Sequence, residues 1–338
     1  MGSVTAMALA LFVVTAVAGA IIYATYRREL KEIRSAIKAG GTIVETAAGP
    51  IEYAEAGSGE PVLMIHGAGG GYDQGLLIGR DLTDGHRLIA PSRFGYLRTA
   101  VPLEATAAAQ ADAHVALLDS LRIWKRVVVI GVSAGAPSAI EFALRHPDRA
   151  SALILLVPRT FDPSNSVGVD NSLASQAVLR LVTRSADFPF WLAMKVARRA
   201  VVRFLGVPPA LDALATTPVH DRVTEIMRSI LPLSERWPGI AVDNSTELGA
   251  WPLNRLRLPT LIISARDDLY KTLPGARFTA SQIPQAQLEI LESGGHLMLG
   301  QSARVRSLIS NFLERARRSA AFTRHLPMPA ATGVAAAE

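Results

Sequence analysis

Apolar positions along this chain fall into distinct rhythms. The first is an uncharged run from Val4 to Tyr26, long enough to cross a hydrocarbon core of about 30 Å as a helix rising about 1.5 Å per residue. The second is a series of short runs bounded by turn residues: "TIVET" and "IEYAEAG", separated by Gly49-Pro50, then "PVLMIHG", "HRLIAPS", "RVVVIG", "SALILLVP", "LPTLIISARDD" and "AQLEILESGGH". Between them lie helical stretches, Ala105 to Leu121 and Ala134 to His146, the latter stopped at Pro147. Val305, Leu308, Ile309, Phe312 and Leu313 mark one face of a last helix. Strands apolar on both faces that alternate with helices predict an α/β architecture, a mostly parallel sheet with helices on both sides.

From about Arg159 to Arg257 the strand rhythm stops, and helical stretches such as "FWLAMKVARRAVVRFLG" are separated by prolines and glycines. A helical insertion between two sheet-forming halves predicts a cap over the sheet edge. The expected organisation is therefore an anchor and basic stalk over residues 1–41, a core from 42–158 and 258–318, a cap over 159–257, and a disordered Ala- and Pro-rich tail over 319–338.

Composition sharpens the reading of the first run. The chain is 49% hydrophobic, a high share that suggests one lipid-facing stretch. Arg27, Arg28, Lys31, Arg34 and Lys38 follow the run directly, and Tyr23 and Tyr26 sit where an interface would lie. The positive-inside rule then predicts a single-pass N-terminal transmembrane helix with the rest of the chain on the cytoplasmic side. A cleaved signal peptide is the rival reading; Ala16, Ala18 and Ala20 suit it, but it lacks a basic leading region. For a chain beside a membrane, attraction to anionic headgroups explains the net charge of +6 as well as a nucleic-acid partner would, and no zinc spacing or RNA-binding signature accompanies it, so no metal and no nucleic-acid partner is expected. With no cysteine, disulfides, thiolate metal sites and cysteine nucleophiles are excluded.

The candidate chemistry begins at "GVSAG", Gly131 to Gly135, which fits G-x-S-x-G with a β-branched strand before it and an Ala-rich helix after. A strand turning abruptly into a helix at Ser133 strains that residue and crowds the positions two before and two after, where only very small residues fit. It also lifts the hydroxyl out at the strand end, beside the unpaired N–H groups of a helix start. A serine needs a base to remove its proton. Of the seven histidines, His296 follows a strand on a Ser-Gly-Gly loop and suits that task. His146, before a proline at a helix end, reads as a C-terminal cap; His220 and His325 have no strand behind them. Asp267 and Asp268, just after a buried strand, are both candidates for the acid that fixes the imidazole. Serine, acid and histidine, each after a strand and in that order, form a sequence this class of site requires.

"HGAGGG", "PSRFGYLRT", "GVSAG", "SARDDLY" and "GGHLML", in this order, resemble the α/β-hydrolase family over about residues 42 to 317. The resemblance implies an eight-stranded sheet, with Ser133 as nucleophile, His296 as base and Asp268 as acid, placed a set distance beyond the small Ala265. It also implies that the backbone N–H groups of Ala68 and Ala134 form the oxyanion hole, with Gly67, Gly69, Gly131 and Gly135 supporting loop and elbow. "HGAGGG" is not a dinucleotide loop, because Tyr72 stands where the last glycine of G-x-G-x-x-G would be, and no Lys-Ser/Thr follows. No cofactor is expected. "PSRFGY" replaces a frequent family stretch and leaves Arg93 and Tyr96 without an assigned role.

These readings converge on a membrane-anchored serine hydrolase acting on a small apolar acyl or ester substrate, with Phe188, Phe190, Trp191 and Leu192 of the cap favouring an acyl or aromatic group. Thioester, amide and carbon–carbon bond hydrolysis use the same triad, whereas related dehalogenases and epoxide hydrolases place an aspartate where Ser133 stands. A non-catalytic ligand-binding member of the same fold is the alternative from another class.

Overall fold

The computed structural model describes residues 2–82, 85–164, 168–169, 171–249 and 251–324. Helix α1 (Gly2–Gly40) leads into strands β1 (Thr42–Thr46), β2 (Gly49–Ala56) and β3 (Pro61–Ile65), helix α2 (Tyr72–Leu82) and strand β4 (Arg87–Pro91). Helix α3 (Ala107–Ser120), strand β5 (Val127–Val132), helix α4 (Ala136–Arg145) and strand β6 (Ala150–Leu156) complete the first half. Six helices follow: α5 (Leu173–Thr183), α6 (Asp187–Val196), α7 (Arg198–Phe204), α8 (Pro209–Ala213), α9 (Thr217–Arg228) and α10 (Trp237–Ser245). The chain then returns through β7 (Thr260–Ala265), α11 (Leu273–Gln282), β8 (Gln287–Leu291) and α12 (Ser302–Arg324).

The eight strands form one sheet in the order β1-β2-β4-β3-β5-β6-β7-β8, in which β2 runs antiparallel to both neighbours and the others are parallel. Alternate residues of each strand feed two separate cores. Leu63, Ile65, Val127 and Val129 pack with α3, α4 and α11, while Val62, Met64, Val128 and Ile130 pack with α2 and α12. Burial on both faces explains why these strands read as continuous apolar runs rather than as alternation. The chain winds one way from β3 to β4 and the other way from β5 onward. The crevice between β3 and β5 is thus a topological switch point, where ligands of open α/β sheets bind.

Three boundaries differ from expectation. Gly49 and Pro50 do not separate β1 from β2; the turn falls at Ala47 and Ala48, where the Thr46 hydroxyl donates to Gly49 O at 2.7 Å and accepts from Ala48 N at 3.0 Å. Pro50 is tolerated in β2 because it lies outside the stretch from Tyr53 to Ala56 that pairs with β4, so it withholds no bond from that ladder. The helix after Ser133 begins with a 3-10 turn, and the regular helix starts only at Ala136. The last helix continues past Ser319 to Arg324 because Ala320 and Ala321 are strong helix formers; the remaining tail, His325 included, lies outside the described residues.

The charged stalk is continuous with the apolar run in the single helix α1, and its second half is docked. Tyr26, Leu30 and Ile37 are buried. Tyr26 packs edge-on against Phe188 and beside Trp191, and Glu29 accepts from Trp191 Nε1 at 2.9 Å and from Lys195 Nζ at 3.1 Å. The stalk therefore forms part of the cap packing.

Candidate active site

Strand β5 delivers Ser133 to the crevice in the strained left-handed region, with φ of 48°. A side-chain carbon on Gly131 would stand 2.7 Å from Ala139 Cβ, and one on Gly135 would stand 2.6 Å from His66 O. Both contacts are closer than real carbons allow, so the two glycines are what let α4 and the β3 loop approach the elbow. Ser133 Oγ donates to His296 Nε2 at 2.8 Å. His296 Nδ1–H donates to Asp268 Oδ2 at 2.9 Å, an arrangement that fixes the tautomer leaving Nε2 free to accept the serine proton.

The two neighbouring aspartates have different partners. Asp268, 5% exposed, holds the imidazole and is itself held by the Thr272 hydroxyl at 2.5 Å and the Tyr270 N–H at 2.8 Å. Burial pushes the Asp268 carboxyl up, but the His296 charge and hydrogen bond, with Thr272 and Tyr270, outweigh it and hold the group below its ordinary value. Asp267 instead accepts from the Gly295 and Gly294 N–H groups at 2.8 and 3.2 Å, so it shapes the loop that carries His296.

Cap and core meet on this loop. Gly206 O accepts the N–H of both His296 and Leu269 at 3.0 Å. Gly206 has φ of 77°, and a side-chain carbon there would stand 2.5 Å from His296 Cβ. The Tyr270 ring meets the imidazole edge-on at 4.5 Å, and its hydroxyl donates to Phe204 O.

The loop after β3 sits on the other side of Ser133. Gly67 lies against the serine, with its missing side-chain carbon 3.3 Å from Ser133 Cβ, and Ala68, Gly69, Ser133 and Ala134 line one cavity. Gly69, at φ of 72°, donates its N–H to Tyr96 Oη at 3.2 Å. Arg93, left without a role by sequence, forms the underside: Nε donates to His66 O at 2.9 Å, Nη2 to Gly67 O at 3.2 Å, and both terminal nitrogens to Asp243 of α10 at 2.6 and 2.7 Å. Tyr96 donates to the same carboxylate at 2.5 Å. His66 Nε2 accepts the Arg93 N–H at 3.0 Å, and burial with the Arg93 charge holds the ring neutral, well below its ordinary value. A reciprocal pair closes the far side. Arg236, ahead of α10, is fully buried and donates to Gly70 O at 2.6 Å and to Asp73 at 2.8 Å.

The cavity over Ser133 measures about 740 Å³ and has apolar walls from Leu179, Val182, Phe204, Ile226, Ile230 and Ile240. The four cap residues expected to favour an acyl group do not line it. Phe190 and Trp191 are buried in the cap core, with Phe188 and Leu192 packed against them, and Trp191 and Phe188 form the seat of α1. Asp243, Arg236 and Gly206 were missed by sequence reasoning. Arg236, Ile240 and Asp243 do share one helical face by their i, i+4, i+7 spacing, a charged pair flanking an apolar residue, and that was the available signal. His146 caps α4 as expected and meets Asp112 at 2.7 Å. His220 lies in α9. Among the described residues no cluster of His, Asp or Glu could hold a metal ion.

A sheet of this order, a serine elbow at its switch point and a histidine and acid on the following strand ends define a hydrolase. The profile of the α/β hydrolase fold matches residues 60–303, and the chain belongs to that family. It is 28% identical over 276 residues to an uncharacterised hydrolase, YcgS, of Bacillus subtilis, covering 79% of this chain and 95% of that protein. It is 27% identical over 271 residues to the 2-hydroxymuconate semialdehyde hydrolase of a Pseudomonas species, covering 78% and 89%. Among solved structures, a thermophilic esterase from Thermogutta terrifontis matches with 25% identity and a TM-score of 0.59, covering 82% of this chain and 98% of that one.

Proposed function

We propose that this hydrolase is a membrane-anchored serine esterase that cleaves a carboxylic ester or related acyl substrate through an acyl-enzyme. The observation that carries the reading is the unbroken relay from Ser133 through His296 to Asp268, opening into an apolar cavity. His296 Nε2 takes the Ser133 proton as Oγ attacks the acyl carbon, and the N–H groups of Ala68 and Ala134 receive the developing oxyanion. The C–O bond then breaks, and the alcohol leaves with the proton held by His296. A water gives its proton to His296 and attacks the acyl carbon, releasing the acid and restoring Ser133. The Arg93–Asp243–Tyr96 network positions the oxyanion loop through His66 O, Gly67 O and Gly69 N–H.

The anchor reading is supported by the exposed, uncharged apolar half of α1, long enough to cross a bilayer, and by the docking of its second half on the cap. We place the catalytic domain on the cytoplasmic side, from the basic residues after the run. Carbon–carbon bond hydrolysis, favoured by the likeness to 2-hydroxymuconate semialdehyde hydrolase, is the second reading.

A fluorophosphonate probe tests the nucleophile. Labelling of the native protein that disappears in Ser133→Ala is the expected result; no labelling, or labelling that survives the substitution, removes the proposal. Hydrolysis of p-nitrophenyl esters against a ring-cleavage dienoate then separates the two readings.

A further inference from the structure

Arg159 follows β6, the strand beside the nucleophile strand, and its N–H donates to Ser133 O at 3.0 Å. Its side chain lines the cavity over Ser133, whose walls combine the apolar Leu179, Val182, Phe204, Ile230 and Ile240 with polar groups. There Nη1 donates to the backbone carbonyl of Asp243 at 2.8 Å. The Asp243 carboxylate does not neutralise it, because both oxygens are already engaged by the two terminal nitrogens of Arg93 and by the Tyr96 hydroxyl. Two guanidinium groups thus face one carboxylate, and among the described residues no other carboxylate lies within ion-pair distance of Arg159. Burial draws the Arg159 guanidinium below its ordinary value; Asp243 opposes the shift and Arg93 adds to it. A half-buried guanidinium with no carboxylate of its own is a seat that a negatively charged ligand group can complete.

We propose that Arg159 is a substrate-binding residue that pairs with a carboxylate on the substrate, so that the preferred substrates are acyl compounds bearing one free carboxylate, such as half-esters of dicarboxylic acids. The seat carries one excess positive charge, which a carboxylate matches and a phosphate dianion would exceed. The planar fork of arginine, with Nη1 committed to Asp243 O, still presents Nε and Nη2 as a pair suited to two carboxylate oxygens. The apolar walls take the hydrocarbon part of the same molecule. This rests on the reading of Ser133 as the centre of the substrate cavity, but binding tests it separately from turnover.

The experiment uses the full-length Ser133→Ala protein in detergent and compares monophenyl glutarate with phenyl butyrate by calorimetry at pH 7. The carboxylate ligand is expected to bind at least tenfold more tightly. That preference falls towards unity in Ser133→Ala/Arg159→Gln and is partly kept in Ser133→Ala/Arg159→Lys, which retains the charge without the fork. Circular dichroism checks that the variants fold, and the lysine variant stands in where the glutamine variant does not. Equal affinities, no binding of monophenyl glutarate at millimolar concentration, or a preference indifferent to both substitutions overturns the inference. A native protein that labels with fluorophosphonate yet shows no such preference loses this inference alone, whereas a preference without labelling removes the esterase reading alone.

Discussion

Asp267 and Asp268 occupy adjacent positions after the same strand, and only the direction of each side chain separates their work. Asp268→Asn keeps the shape but offers the imidazole an amide, favouring the wrong tautomer; kcat is expected to fall about 10⁴-fold with KM nearly unchanged. Asp267→Ala releases two loop N–H groups, and the resulting misplacement of His296 is expected to cost about 10²-fold. Steady-state ester hydrolysis by the two variants, measured side by side, checks the contrast, and equal losses would contradict it. The lowered Asp268 carboxyl also links to stability. A group held below its unfolded value stabilises the fold above that value, and the contribution disappears as pH falls through the folded one. Denaturant midpoints between about pH 5 and about pH 2 should therefore fall more steeply for the native protein than for Asp268→Asn. The serine elbow was legible in sequence because every residue it needs lies within five positions. Arg159 and Asp243 were not, because their meaning depends on each other across 84 residues.

The central strands β3, β5, β6 and β7 were legible as elements because they are buried on both faces, and the turn between β1 and β2 was misplaced because Gly and Pro mark a turn only when the neighbouring register leaves room for one. The cap shows the opposite balance. Its helical character was plain, while its attachment was hidden, since it rests on a few charged side chains and on the Gly206 carbonyl, none of which stands out from the stretch around it. Two reciprocal ion pairs make this joint: Arg93 of the core with Asp243 of the cap, and Arg236 of the cap with Asp73 of the core. Asp243→Ala leaves Arg93 buried without its partner, and a loss of about 3 to 5 kcal/mol is expected in chemical denaturation. The same substitution frees Arg93 beneath His66 O and Gly67 O, so kcat should fall more than KM rises, as the oxyanion loop loosens. A variant as stable as the native protein would contradict the joint.

At the scale of the whole molecule, one helix is both the proposed anchor and a structural part of the cap. Its apolar half and its basic flank were legible from sequence, but docking was not, because Tyr26, Leu30 and Ile37 find their partners at distant positions in cap and core. Deleting residues 2–22 and keeping the docked half should release a folded protein into the soluble fraction. Deleting through Gly40 also exposes the seat of three buried side chains, at a cost on the order of 5 kcal/mol. Fractionation and thermal melts of the two truncations distinguish these outcomes, and a shorter truncation that stays in the membrane pellet contradicts the anchor. The central claim, that a strained serine and a cap-held histidine meet to take an acyl group from an ester, is tested most directly by trapping the covalent intermediate. Mass spectrometry of protein quenched in acid during hydrolysis of p-nitrophenyl butyrate should find one butyryl group on the peptide containing Ser133, and none in Ser133→Ala. Turnover of the ester with no acylated Ser133, or with acylation unchanged in the alanine variant, would contradict it.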